Sequence, residues 1–170
     1  WQKRHLMQKS MSETRNPKVP STIIELLSHH NYYDMTFGLD PKFKFIVSRA
    51  IYKGMLRFIH QTTGTPYVVQ PLPVQQMNVT YANNDSLQIR WAERVDSLEP
   101  TATPSYYVLY TRTSQLKDGQ WQTSDWDNGI RVNNPQATLP IQRGVKYDFM
   151  VRAGNDGGVS LPSEVLSAYI

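Results

Sequence analysis

Few side chains in this sequence stand at spacings that suggest chemistry. Two carboxylates, Glu13 and Glu25, and the pair His29-His30 are the acid-base and metal-ligating groups of the N-terminal part. A hydrolase built on Glu25 with Glu13 or His29 is one reading, though nothing in the spacing singles out such a pair. Adjacent histidines point apart and do not close a metal site, so a solvated loop pair is the plainer reading. The chain has no cysteine, which excludes thiolate chemistry, disulfides and cysteine-bound zinc. Further along, Trp121 and Trp126 flank Gln122-Thr123-Ser124-Asp125. An exposed Trp face stacks on sugar rings, whereas packing at an edge strand is the plainer alternative. Asn78-Val79-Thr80 and Asn84-Asp85-Ser86 have the form of glycosylation sequons, a pattern common by chance.

The 170 residues carry 18 Lys and Arg against 14 Asp and Glu, a net charge of +4. The excess is local. Residues 1–64 hold ten basic against four acidic groups, and residues 65–170 hold eight against ten. A nucleic-acid surface interleaves bases with aromatics. Here Lys3, Arg4, Lys9, Arg15 and Lys18 are scattered over a polar stretch, as on a solvated helix face, and no nucleic-acid partner is expected. No apolar run approaches the roughly 20 residues that span a bilayer. The start does not read as a signal peptide, so an export signal is expected to have been removed or to lie elsewhere.

Those groups must be held by two kinds of element. Residues 2–14 have helix-forming composition, with Leu6, Met7 and Met11 at helical spacing and Asn16, Pro17 and Pro20 as stops. Thr22 to Leu26 is a short, partly β-branched apolar run and predicts a buried strand. His29 to Gly38 predicts a loop. Asp40-Pro41 opens a helix that runs to about His60, with a stripe of Phe43, Val47, Ala50, Gly54 and Phe58 broadened by Ile46, Ile51 and Met55. Pro66, Pro71 and Pro73 predict an extended linker over 65–74. Beyond it the period is two. Leu87, Ile89 and Trp91 share one face, Tyr107 and Leu109 another, and strands are expected near 121–132, 137–139, 146–153 and 165–170.

Three features of residues 75–170 resemble a fibronectin type III domain. Ser86-Leu87-Gln88-Ile89-Arg90-Trp91 has the strand with a buried Trp. Leu139-Pro140, Gly144 and Tyr147 resemble the family's corner, in which the Tyr hydroxyl bonds back to the backbone near the preceding turn. Val151 to Ser160 resembles its last hairpin, with Asn155 to Gly158 tolerating positive φ. Gln142-Arg143 depart from the usual tighter turn. The resemblance implies a mainly β, seven-stranded Ig-like sandwich that spaces or binds. The hairpin lacks Arg-Gly-Asp, so integrin binding has no support.

Residues 17–59 resemble the last strand and helix of zinc-dependent N-acetylmuramoyl-L-alanine amidases. The resemblance lies in Pro20 before Ile23-Ile24-Glu25-Leu26, Asn31 and Asp34 as Asn-x-x-Asp, then Ala50-Ile51 and Gly54-Met55-Leu56. Leu27-Ser28 stand where that family has Gly-Phe. The resemblance implies that Glu25 matches a catalytic carboxylate that assists a zinc-bound water, in an intact parent domain only. The family's His, Glu and His ligands have no match here, so this chain is expected to hold no metal or other cofactor, and zinc would belong to the parent. Proteins of this layout are often labelled xanthan lyase, yet no lyase chemistry is visible. The resulting expectation is a helix-strand-helix fragment over 1–64, a linker over 65–74 and a sandwich over 75–170. The whole is read as a non-catalytic part of a secreted bacterial cell-wall or polysaccharide-acting protein of the periplasm or cell exterior. Its expected partners are a glycan or peptidoglycan, and a second copy through residues 1–64. The alternative is a stand-alone interaction protein with a helical docking segment.

Overall fold

A computed structural model describes residues 11–170. Contacts divide the chain into residues 1–51 and residues 52–170, and the division falls inside a long helix.

In the first unit the expected helix over 2–14 lies mostly outside the described residues, and a single turn, α1 (Ser12–Arg15), falls within them. Residues 22–26 form no strand. Ile23, Ile24 and Leu26 are 41%, 48% and 47% exposed. The reason is that β-branched composition favours a strand only when a neighbour takes its backbone hydrogen bonds. The expected loop after it is instead mostly helix, α2 (Tyr32–Leu39). Asn31 caps it, its Oδ1 accepting from the amides of Tyr33 at 2.9 Å and Asp34 at 3.3 Å. Asp34 reaches back to accept from the Ser28 amide at 2.9 Å. Asn-x-x-Asp thus acts here as a helix-start device. The next helix, α3 (Pro41–Thr63), opens as its sequence predicts, with the Asp40 carboxylate accepting from the Lys42 amide at 2.9 Å. It stops at Gly64, whose φ of 74° closes a bond from its amide to the His60 carbonyl. No residue of α1, α2 or α3 is fully buried, and Ile46, Met55 and Phe58 of the apolar stripe stand 55%, 58% and 47% exposed.

The second unit is a sandwich of two antiparallel sheets. One holds β1 (Gln75–Asn83), β2 (Ser86–Ala92) and β6 (Gln136–Pro140) in the order β1-β2-β6. The other is centred on β3 (Tyr106–Lys117) and β7 (Val145–Asn155). Along β3's outer edge lie β4 (Gln120–Thr123) and β5 (Ile130–Val132); along β7's lie β8 (Gly158–Val159) and β9 (Leu166–Tyr169). Nine segments therefore occupy seven lanes, the number the pattern predicts. Leu87, Ile89 and Trp91 from one sheet meet Tyr107, Leu109, Tyr147, Phe149, Val151 and Ala153 from the other. Trp91 packs edge-on to Tyr107, with ring centroids 5.5 Å apart. The corner forms: the Tyr147 hydroxyl accepts from the Gln142 amide at 2.8 Å, and Gly144 takes the positive φ (76°) that the wider turn needs.

The proline-rich stretch expected as a linker is extended but packed. Val69, Pro71, Leu72 and Val74 are buried. Gly157 of the last hairpin lies so close to the Val68 carbonyl that a Cβ there would collide with it. Asn155 ties the layers together, donating from Nδ2 to the carbonyls of Val69 (2.9 Å), Thr101 (3.0 Å) and Thr103 (3.3 Å) while its Oδ1 accepts from the Gly157 amide. Apolar residues between the prolines explain why the stretch docks.

Candidate binding face

The alternation that sends Tyr107, Leu109, Phe149 and Val151 inward sends their neighbours outward. On β3 these are Tyr106, Val108, Tyr110 and Arg112, and their register partners on β7 are Gly154, Arg152, Met150 and Asp148. The Tyr106 ring lies directly over Gly154, where any side chain would occupy the same space. The Arg131 guanidinium sits 3.7 Å from the centroid of that ring. Further along, Arg112 lies 4.7 Å from the centre of Trp126 and donates from Nε to Asp148 at 2.8 Å.

Asp148 is buried, and burial alone would raise its pKa. Hydrogen bonds from Ser167 (2.6 Å) and Arg112, with the charges of Lys146 and Arg112, outweigh burial and hold the carboxyl below its ordinary value. At the far end of this face, Trp121 and Tyr169 meet edge to face, with centroids 5.7 Å apart and planes at 89°. Both remain open to solvent, at 49% and 66% exposure. Lys146 is the register partner of Tyr169. The face thus offers two exposed rings beside a cation, features suited to holding a ligand.

A second polar cluster is structural. Lys53 and Asp96 pair at 2.9 Å. The buried Glu99 accepts from the Tyr67 hydroxyl at 2.7 Å and from Thr101 at 2.9 Å, with Arg57 at 3.9 Å. Burial is the largest influence on Glu99 and pushes its pKa up, but these bonds and the charges of Lys53 and Arg57 bring the net shift down. Burial and the bond to Glu99 push the Tyr67 phenol up. The Gln70 amide donates to the Tyr52 hydroxyl, so the last turns of α3 are part of this unit. These contacts join the C-terminal turns of α3 to the stretch over 65–74 and to the loop before β3.

Comparison with known proteins gives matches among solved structures alone. No family model matches the chain. No curated protein matches it either. Among solved structures, it is similar to the third fibronectin type III domain of the human KIAA0343 protein, at 14% identity over 62% of this chain and 86% of that one, with a TM-score of 0.46. It is also similar to the fourth such domain of a human protein, at 21% identity over 59% and 78%, with a TM-score of 0.42. A further match, titin kinase with its flanking domains, has 20% identity and a TM-score of 0.40 and takes in 58% of this chain. The chain spans 16% of that protein's length.

The structure does not bring the sequence-predicted catalytic groups together. Glu25 is exposed in strandless chain, not at the end of a buried strand facing a cleft. The His29 and His30 rings lie 3.9 Å apart, centroid to centroid, on exposed residues. Among the described residues no three His, Asp or Glu side chains converge as a metal site requires. The two Trp residues separate in role: Trp121 is open, while Trp126 is half-buried under Arg112. Sequence reasoning missed Arg112, Asp148, Tyr106 and Arg131. Their signal was alternation with opposite charge on two outward strand faces, which becomes specific only once the β3–β7 register is known.

Proposed function

We propose that this chain is a non-catalytic binding or spacer portion of a secreted bacterial protein acting on cell wall or polysaccharide, placed in the periplasm or outside the cell. In that setting the sandwich holds a glycan chain against Trp121 and Tyr169. The exposed ring pair beside Lys146 is the observation that carries this reading. A sugar's C–H face stacks on an indole, and the Lys146 ammonium on the same face offers bonds to its hydroxyls. Any amidase activity would need its metal ligands from residues other than those described here, with Glu25 as the carboxylate the resemblance assigns.

Sedimentation with insoluble peptidoglycan and with neutral polysaccharides tests the proposal. The chain is expected to be retained, and Trp121→Ala to reduce retention roughly tenfold with an unchanged circular dichroism spectrum, because one stacked ring supplies much of such an interface. Equal retention of the variant, or no retention of the parent chain, removes the glycan role. Zinc-dependent release of peptide from peptidoglycan would overturn the non-catalytic reading. A second reading, helical docking to another protein, is favoured by the exposed apolar side chains Ile46, Met55 and Phe58 of α3.

A further inference from the structure

The outward face of the larger sheet is unevenly charged. Register and alternation place Arg112, Arg131, Lys146 and Arg152 on it, with Asp148 as its one carboxylate among the described residues. That carboxylate is shared by Arg112 at 2.8 Å and Lys146 at 3.6 Å. On the adjoining loop, Asp127 Oδ1 accepts from the amides of Thr111 and Gly129. Arg131 and Arg152 form no ion pair with any carboxylate among the described residues.

Both guanidiniums are nonetheless fixed. Arg131 and Arg152 are register partners of the same residue, Val108, from its two sides. The Tyr106 ring under Arg131 covers Gly154, two residues from Arg152 along β7, and so carries Arg131 toward Arg152. Arg152 is held from the other side, its Nε donating to the Ser160 carbonyl at 2.7 Å. Stacking on a ring leaves the N–H edge of a guanidinium free, and the Ser160 bond uses one donor of five. Two cations thus share a patch with donors to spare and no counter-charge, a repulsion that a bound anion relieves. Lys146, with Trp121 and Tyr169 beside it, stands six residues away on β7, roughly 20 Å along a strand. A small anion reaches one of these ends, whereas a chain lying along β7 reaches both.

We infer that the ligand of this face is an acidic polysaccharide, which stacks a sugar on Trp121 and Tyr169 and sets an anionic group, carboxylate or sulfate, against Arg131 and Arg152. The inference rests on the glycan reading given above and adds the charge of the glycan. Guanidinium forks match the oxygens of such groups, and a neutral chain would leave them unused.

Affinity electrophoresis of the full chain in gels containing polygalacturonate, dextran sulfate or neutral dextran tests it, the two acidic gels telling carboxylate from sulfate. Retardation is expected to be roughly tenfold stronger in an acidic gel than in dextran, and to weaken as salt is added. Arg131→Gln with Arg152→Gln is expected to lose roughly tenfold of that retardation without a change in dextran. Arg131→Gln alone, at an exposed position, should lose roughly threefold, which keeps the test open if the pair does not fold. Lys42→Gln with Lys44→Gln removes the same charge from α3 and is expected to stay within about twofold of the parent chain. A loss from this α3 pair as large as from the arginine pair overturns the inference. So does binding of poly-L-glutamate, which carries charge without sugar, as tight as that of either acidic glycan. Equal retardation in acidic and neutral gels that still needs Trp121 overturns the inference and leaves the glycan role standing. No retardation in any gel removes both.

Discussion

Residues 52–170 and residues 11–51 use similar apolar side chains to different ends. In the sandwich, Ile89, Leu109, Phe149 and Val151 are wholly shielded from solvent. In the N-terminal unit, Ile23, Ile24 and Leu26 stay nearly half exposed, and the helices contain no fully buried residue. The contrast lies in partners. Each sandwich strand has a neighbour for its backbone and an opposing sheet for its inward face. The run at 22–26 has neither, so its β-forming composition leaves it without regular structure. Helices differ because they satisfy their backbone internally, and α2 and α3 form with caps at Asn31 and Asp40 even though none of their residues is fully buried.

The sharpest way to break this comparison is to truncate matched apolar residues in the two regions. Trp91→Ala in the sandwich is expected to cost about 3–5 kcal/mol. That is much of a small domain's total of roughly 5–15 kcal/mol, so little folded protein should be recovered. An unchanged melting temperature would contradict its place in the core.

Asn155→Ala comes next. It removes the Nδ2 donor that the carbonyls of Val69, Thr101 and Thr103 share and leaves them short of a partner. A cost of about 2–3 kcal/mol in urea unfolding is expected, with faster exchange of amides in residues 66–74. If that stretch were an independent linker, the loss would be small. Tyr147→Phe should cost about 1–2 kcal/mol, since it strands the Gln142 amide in the corner while keeping the ring.

Acid should separate the regions again. Glu99 and Asp148 both have pKa values below those of ordinary carboxylates, so the folded form holds their protons less readily than the unfolded chain. Their contribution is fully present above the unfolded value of roughly 4 and is lost as pH falls through the folded values. The urea midpoint of the sandwich is therefore expected to decline below about pH 5, and Glu99→Gln with Asp148→Asn to flatten that decline. A midpoint independent of pH would show that these networks contribute nothing. The smallest effect belongs to the other side of the comparison: Ile24→Ala should stay within about 0.5 kcal/mol by thermal melting, and a larger loss would mean that residues 22–26 are covered in solution.

Much of the sandwich was readable before any coordinates. Alternation at Leu87-Ile89-Trp91 and Tyr107-Leu109 assigns residues to faces, because strand side chains alternate whatever the neighbour. The Tyr147 corner and the Asp40-Pro41 helix start are local signals that need no distant contact. Asn31 with Asp34 was a local signal too, a capping pattern obscured by the amidase resemblance. Other features were settled only by tertiary structure. Whether residues 22–26 become a strand depends on a partner that composition does not name. Whether residues 65–74 hang free or pack depends on the surface offered by Asn155, Gly157 and the turn at 100–102. The binding face depends on register, since Arg112 meets Asp148 only when β3 and β7 align as they do. Local patterns specify what a segment prefers, and long-range pairing decides which of those preferences can be satisfied at once.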